Sequence, residues 1–158
     1  MKSFYPLLTF CLTALTLILN SLANTLPLGG KTTGEISAQF SVYFVPAGYV
    51  FAIWGFIYAG LIAFTIYQFS PEAQSLAYRS RLFWLYVVTS VSNSLWLITW
   101  HYEIFWLTLP LMLRLVVSLI ALYQLDLSNS SPSPLYRYLV RIPIRIYLAW
   151  ISVATIAN

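Results

Sequence analysis

The 158-residue chain is 60% hydrophobic and only 8% charged, with 18% aromatic residues and a mean hydropathy of +0.79. Ordinary soluble domains carry about 25% charge, so the composition excludes a soluble globular protein and describes an integral membrane one. The net charge of +4 does not imply a nucleic-acid partner, because the cations collect at the ends of apolar runs, where membrane topology accounts for them.

The expectation is an all-α integral membrane protein: a bundle of five transmembrane helices in one membrane domain, residues 1–158. The spans run about 6–26, 47–69, 82–99, 104–125 and 137–158, each close to the ~20 residues that cross the hydrocarbon core. The first, from about Pro6 to Leu26, has a competing reading as a cleaved signal peptide. Lys2 supplies a charge, an apolar core follows, and Ser21-Leu22-Ala23 resembles a small-x-small cleavage site. The apolar run Leu7 to Leu22 is long for such a core, which favours a retained span. The lone Cys11 excludes a disulfide framework and a Cys-based metal site.

Residues from about Pro27 to Val45 form the longest polar connection, where Gly29-Gly30 and Gly34 suit a mobile loop able to act as a lid. The second span stops at Ser70-Pro71-Glu72, and Arg79 and Arg81 precede the third. His101-Tyr102-Glu103 is so short a turn that the third and fourth spans should pack as antiparallel neighbours. Ser128 to Pro134 is a flexible linker by composition. The fifth span ends at Ala157-Asn158 without a charge or polar tail. Either the helix stops abruptly at the interface or the chain is a truncated form of a longer one, and truncation is the expectation.

Charge asymmetry sets the orientation. Lys2, Arg79, Arg81, Arg137, Arg141 and Arg145 fall on one side, while the other has Lys31 offset by Glu35 and Glu103. The positive-inside rule then puts the N-terminus and the second and fourth loops in the cytoplasm, with the C-terminus outside a plasma or inner membrane.

Three spans carry aromatic and polar residues at steps that keep them on one helical stripe. These are Phe51, Trp54, Tyr58 and Thr65; Thr89, Asn93, Trp96 and Trp100; and Tyr147, Trp150, Ala154 and Asn158. Helices that only sit in lipid can use Leu and Val all round, so the stripes read as the wall of a shared internal pocket. A flat conjugated ligand would stack on the rings. Asn93 and Asn158 each need a partner from helix, water or ligand, because a bare amide in hydrocarbon is costly.

A plainer reading stands beside this one. Asn, Ser and Thr also join helices, and the small stripe Gly55, Ala59 and Ala63 suits helix or homodimer packing. Asn93 fits ligand contact or a structural hydrogen bond; Trp54 and Trp150 fit a pocket wall or a core. Trp100, Tyr102 and Trp106 flank a turn and read as interface anchors. Arg114 lies near mid-membrane, where a cation costs roughly 2.5–3.5 kcal/mol. It can pair with an anionic ligand, snorkel, or bond to carbonyls freed by Pro110. His101 is the single histidine and a conceivable axial ligand for haem iron, but its place in a turn argues against that. The chain displays no catalytic constellation, metal cluster or phosphate loop, so an enzyme is not expected.

Pro46-Ala47-Gly48-Tyr49-Val50-Phe51-Ala52-Ile53-Trp54-Gly55-Phe56-Ile57-Tyr58 resembles the second-helix signature of the tryptophan-rich sensory proteins, also called the translocator protein or peripheral benzodiazepine receptor family. Asn93-Ser94-Leu95-Trp96 is similar to its third-helix Asn-x-x-Trp. Tyr147-Leu148-Ala149-Trp150, with Asn158 eight residues past Trp150, is similar to its fifth-helix motif. Tyr49 stands where the family usually has Trp, which marks a divergent branch. The resemblance implies a five-helix bundle, often dimeric, with a pocket under the loop between helices one and two. It also implies a hydrophobic ligand, tetrapyrrole or sterol-like, with porphyrin or haem as ligand and no required cofactor. The candidate ligand-binding set is therefore Tyr49, Phe51, Trp54, Tyr58, Asn93, Trp96, Arg114, Tyr147, Trp150 and Asn158. A porphyrin-binding receptor or sensor is the leading reading. A transporter of such a ligand, or a structural subunit of a membrane complex, is the alternative. A retinal photoreceptor is excluded, since no span holds the Lys a Schiff base needs.

Overall fold

The computed structural model of the chain describes residues 4–26, 28–40, 48–129 and 133–158. The Pro46-Ala47 start of the second-span motif and Ser130-Ser131-Pro132 of the linker lie outside the described residues, as does the Phe51 side chain. The described residues are helical almost throughout: α1 (Phe4–Thr25), α2 (Thr33–Ser37), α3 (Ile53–Gln68), α4 (Pro71–Ser75), α5 (Arg79–His101), α6 (Phe105–Leu127), α7 (Pro134–Tyr136) and α8 (Ile142–Ala157). A single π turn over Arg137–Arg141 joins α7 to α8. It sits just before Pro143, whose missing N–H disturbs the regular ladder there.

Four helical runs are long and apolar enough to cross a membrane: α1, α5, α6 and the continuous Pro134–Ala157. The protein is a multi-pass integral membrane protein. The expected second span, about 47–69, is regular α-helix over only part of its length. Regular helix begins only at Ile53, after a tight 3₁₀ turn over Gly48–Ala52, and α3 has no side-chain cap. The 3₁₀ turn takes the place of a cap by tightening the helix entry. Conversely, α5 reaches back to Arg79 and the last run to Pro134. Helix backbone tolerates the charges and N-terminal proline that hydropathy had placed outside the spans.

Contacts run α1 to α3, α3 to α8, α8 to α6, α6 to α5 and α5 back to α1, a closed ring of five apolar helices. As the short turn requires, α5 and α6 are antiparallel neighbours; Glu103 takes a left-handed φ of 56° between them. In α1 the usual amphipathic pattern is inverted. Thr9, Thr13, Thr16 and Asn20 face inward while Leu7, Phe10, Leu15 and Ile18 face out. Lipid tails are as apolar as leucine, so close contact and hydrogen bonds rather than Leu burial hold such helices together. Thr13 bonds to Thr65 of α3 at 2.6 Å and also to the Tyr86 hydroxyl of α5. α3 passes close to α8 at Gly60, where an added Cβ would meet Pro143 Cβ at 3.0 Å. The Gly55, Ala59 and Ala63 stripe instead lies toward the outside.

At one end of the ring, buried Asp126 of α6 accepts from Arg141 Nε at 2.8 Å and Arg145 Nη2 at 3.2 Å. The other end carries the lid.

Candidate functional site

The loop after α1 folds into a lid over the ends of α5 and α8. Thr32 and Glu35 form a reciprocal capping box on α2: Glu35 N–H donates to Thr32 Oγ1 at 3.3 Å, and Thr32 N–H donates to Glu35 Oε2 at 2.7 Å. The same carboxylate accepts from the Thr32 hydroxyl at 2.8 Å. Together these bonds hold the Glu35 carboxyl below the usual carboxylate range, the backbone N–H contributing most. Ile36 points down and is fully buried. Gly29 adopts φ +70°, and a Cβ there would stand 2.5 Å from the His101 carbonyl oxygen, so the close crossing of lid and α5 requires glycine.

Three polar contacts tie the lid to the α5–α6 corner. Lys31 Nζ reaches Glu103 Oε1 at 2.5 Å. Trp100 Nε1 donates to the Thr33 carbonyl at 3.4 Å. Thr33 Oγ1 meets His101 Nε2 at 3.3 Å. The other ring nitrogen, Nδ1, contacts the Leu97 carbonyl at 2.9 Å. A carbonyl only accepts, so Nδ1 carries the proton and Nε2 accepts from the Thr33 hydroxyl. His101 is buried with both nitrogens engaged, and it anchors the lid rather than standing in an exposed turn. Phe40 adds an edge-to-face contact with Phe105 at 5.1 Å.

Beneath the lid, Trp54 of α3, Trp96 and Trp100 of α5, and Trp150 of α8 surround a cavity of about 60 Å³, with Thr33 and Asn158 at its polar edge. The rings are ordered by mutual contact. Trp96 stacks on Trp100 at 5.6 Å, Trp54 stacks on Tyr58 at 5.6 Å, and Trp54 meets Trp150 edge-on at 6.0 Å. Asn158 accepts from Trp96 Nε1 at 2.7 Å and donates to Thr108 Oγ1 at 3.2 Å, which joins α5, α6 and the end of α8.

Of the candidate residues, Trp54, Trp96, Trp150 and Asn158 line this cavity together. Tyr58 and Tyr147 stand directly behind Trp54, Tyr147 at 6.5 Å. Asn93 lies deeper, one turn before Trp96. Its Oδ1 accepts from Asn20 Nδ2 at 3.2 Å, and its Nδ2 lies against the Tyr147 phenol without a well-formed bond. Tyr49 is 82% exposed on the outer surface. Arg114 is the clearest correction: it sits on the exposed side of α6, away from the cavity. Helix phase decides this, because Met112, Leu115, Ser118, Leu119 and Leu122 take the inward positions. Trp100, which stood both on a pocket stripe and among the interface anchors, follows the stripe: it is 5% exposed and forms part of the wall.

Three contributors were missed in the sequence: the lid residues Thr33 and Ser37, and Asn20 opposite Asn93. The Thr-x-x-Glu capping box was a readable sign of a helix in the lid. The inward Thr9, Thr13, Thr16, Asn20 spacing was a readable sign for α1. A second space, an outer groove of about 570 Å³ between α3 and α8, is lined by Tyr49, Ile53, Phe56, Ile146 and Val153. Trp150 lines both it and the inner cavity. Among the described residues no His, Cys, Asp and Glu cluster has metal-binding geometry.

Compared with known proteins, the chain matches the family model described as TSPO-like protein over residues 6–158. No curated protein and no solved structure matches it.

Proposed function

The chain belongs to the TSPO-like protein family, and from that premise we propose that it is a membrane receptor or sensor whose lid-covered aromatic cavity takes a flat, hydrophobic ligand of the porphyrin type. One observation carries the reading: four tryptophans from three helices converge beneath a capped lid, with an amide at the edge. Stacking on such faces contributes about 0.5–1.5 kcal/mol per ring beyond burial. Asn158 and the lid's Thr33 orient a polar ligand edge without a fixed charge.

The cavity of about 60 Å³ has room for roughly two waters, against about 300–1,000 Å³ for small-molecule sites. The arrangement is therefore a closed state, and a ligand enters by lifting the lid and parting the tryptophans. The shared Trp150 wall favours a second reading on the same site, in which ligand passes laterally between the bilayer-facing groove and the cavity, as a carrier requires. In both readings α3 and its preceding 3₁₀ turn make the fifth crossing. At about 1.5 and 2.0 Å per residue they span roughly 34 Å together, enough for the ~30 Å hydrocarbon core. The cationic end faces the cytoplasm and the lid faces outward.

Titration of the purified protein with protoporphyrin, followed by tryptophan quenching, tests the proposal. Saturable quenching is expected, weakened about 3- to 10-fold by Trp54→Leu and by Trp150→Leu. Linear, unsaturable quenching that both variants share with the parent chain overturns it.

A further inference from the structure

At the end of the bundle opposite the lid, a groove of about 540 Å³ opens on the outer face between α5 and α6. Its two walls are parallel stripes on antiparallel helices. One is Arg81, Trp84 and Val88; the other is Ser128, Leu125 and Ala121, with the exposed Gln124 amide on its outer half. Each stripe is polar at the same end and apolar seven residues further in, about 10 Å deeper along the helix. The groove therefore changes from hydrogen-bonding to hydrocarbon character along its length, as a phospholipid does from headgroup to acyl chain.

The polar mouth is cationic and unsatisfied. Arg81 is exposed and makes no ion pair among the described residues. Ser80 Oγ accepts from the Tyr5 hydroxyl at 3.3 Å, which leaves its own O–H free to donate. The first turn of α5 contains no acidic residue and has no side-chain cap, so its backbone N–H groups add positive potential at the same place. The nearby acid, Asp126, is turned inward and bound to Arg141 and Arg145. Trp84 is 55% exposed beside the mouth, at the depth where indole rings favour the membrane interface.

We propose that this groove is a binding site for one anionic phospholipid, with the phosphate at Arg81 and Ser80 and an acyl chain along Trp84, Val88 and Ala121. The occupant is a lipid rather than free phosphate because most of the groove wall is apolar. It is anionic because the mouth offers a cation with no carboxylate to balance it. The site is independent of the aromatic cavity and of the function proposed for it.

Native mass spectrometry of the full chain, released from equimolar phosphatidylglycerol and phosphatidylcholine, tests the assignment. One phosphatidylglycerol should be retained in preference. Arg81→Gln should reduce that preference about fivefold, and Ala121→Trp, which fills the floor, should remove retention of either lipid. Arg137→Gln removes an exposed cation elsewhere at the same end and should leave the preference intact. Val88→Trp fills the floor from the other helix, should Ala121→Trp prevent folding. Equal retention of the two lipids, equal loss in Arg137→Gln and Arg81→Gln, or retention unchanged when the floor is filled each overturns the proposal.

Discussion

Trp96 Nε1 donates a 2.7 Å hydrogen bond to Asn158 Oδ1, so an indole of α5 is held by the amide at the end of α8. The same amide reaches Thr108 on α6. One side chain thereby fixes the spacing of three helices at the cavity edge. Replacing it by alanine leaves a largely buried indole N–H without its partner, a loss of about 1–3 kcal/mol. Asn158→Ala should lower the thermal unfolding midpoint in detergent, and Asn158→Gln should recover part of the loss. An unchanged midpoint in Asn158→Ala would show that water replaces the amide.

The lid latch should act on rates more than on stability. Lys31 and Glu103 are each more than 40% exposed, and such pairs contribute about 0–1 kcal/mol. Glu103→Gln should therefore speed ligand association and dissociation a few-fold in stopped-flow quenching and leave affinity nearly unchanged. High salt should have a similar effect on the parent chain and a much smaller one on the variant. Equal salt responses in both would argue against a latch.

Gly29→Ala should be more damaging than its chemistry suggests. The residue sits at φ +70°, with the His101 carbonyl 2.5 Å from any added Cβ. Backbone strain of this kind costs about 1–3 kcal/mol, and the lid must lift to relieve it. Amide hydrogen exchange at Ile36 and Ser37 should rise at least tenfold while exchange in α5 stays slow. Uniform exchange across both would mean that the lid and bundle open as one unit.

Acid should loosen the lid through Glu35. Its carboxyl titrates below the ordinary 4.5 in the folded chain, held down by the Thr32 backbone N–H and hydroxyl. A depressed folded pKa means that the cap contributes fully above the unfolded value and is lost as pH falls through the folded one. Protection of the α2 amides, relative to their intrinsic exchange rate at each pH, should therefore fall below pH 4.5, and Glu35→Gln should show no such step. A step of the same size in the variant would assign the acid response to another group.

Arg114→Gln should leave porphyrin quenching unchanged. The residue lies on the outer side of α6, where a long side chain can carry its charge toward the interface. A tenfold loss of affinity would return Arg114 to the site.

Much of this protein was legible in the chain itself. Sixty per cent apolar residues leave a bilayer as the only solvent in which the helices are stable, and the three-residue corner after His101 forces α5 and α6 to be neighbours. Helical spacing alone put Trp54, Trp96, Trp150 and Asn158 on stripes, and a stripe of rings and amides is what a shared interior demands. Periodicity gives a residue's angle about its own helix, however, and not the direction in which that helix faces its neighbours. Thus Arg114 was grouped with the candidate ligand residues although it faces outward, and spacing alone left Trp100 between pocket wall and interface anchor. The contacts of α6 turned Arg114 outward, and the lid folding onto α5 turned Trp100 into a wall. Asn93 met Asn20, and Gly60 rather than Gly55 became the close crossing of α3 with α8, because the rotation of each helix is set by the partners packed against it. Local chemistry decided which segments became helices; only the assembled ring decided which side chains face one another across a cavity.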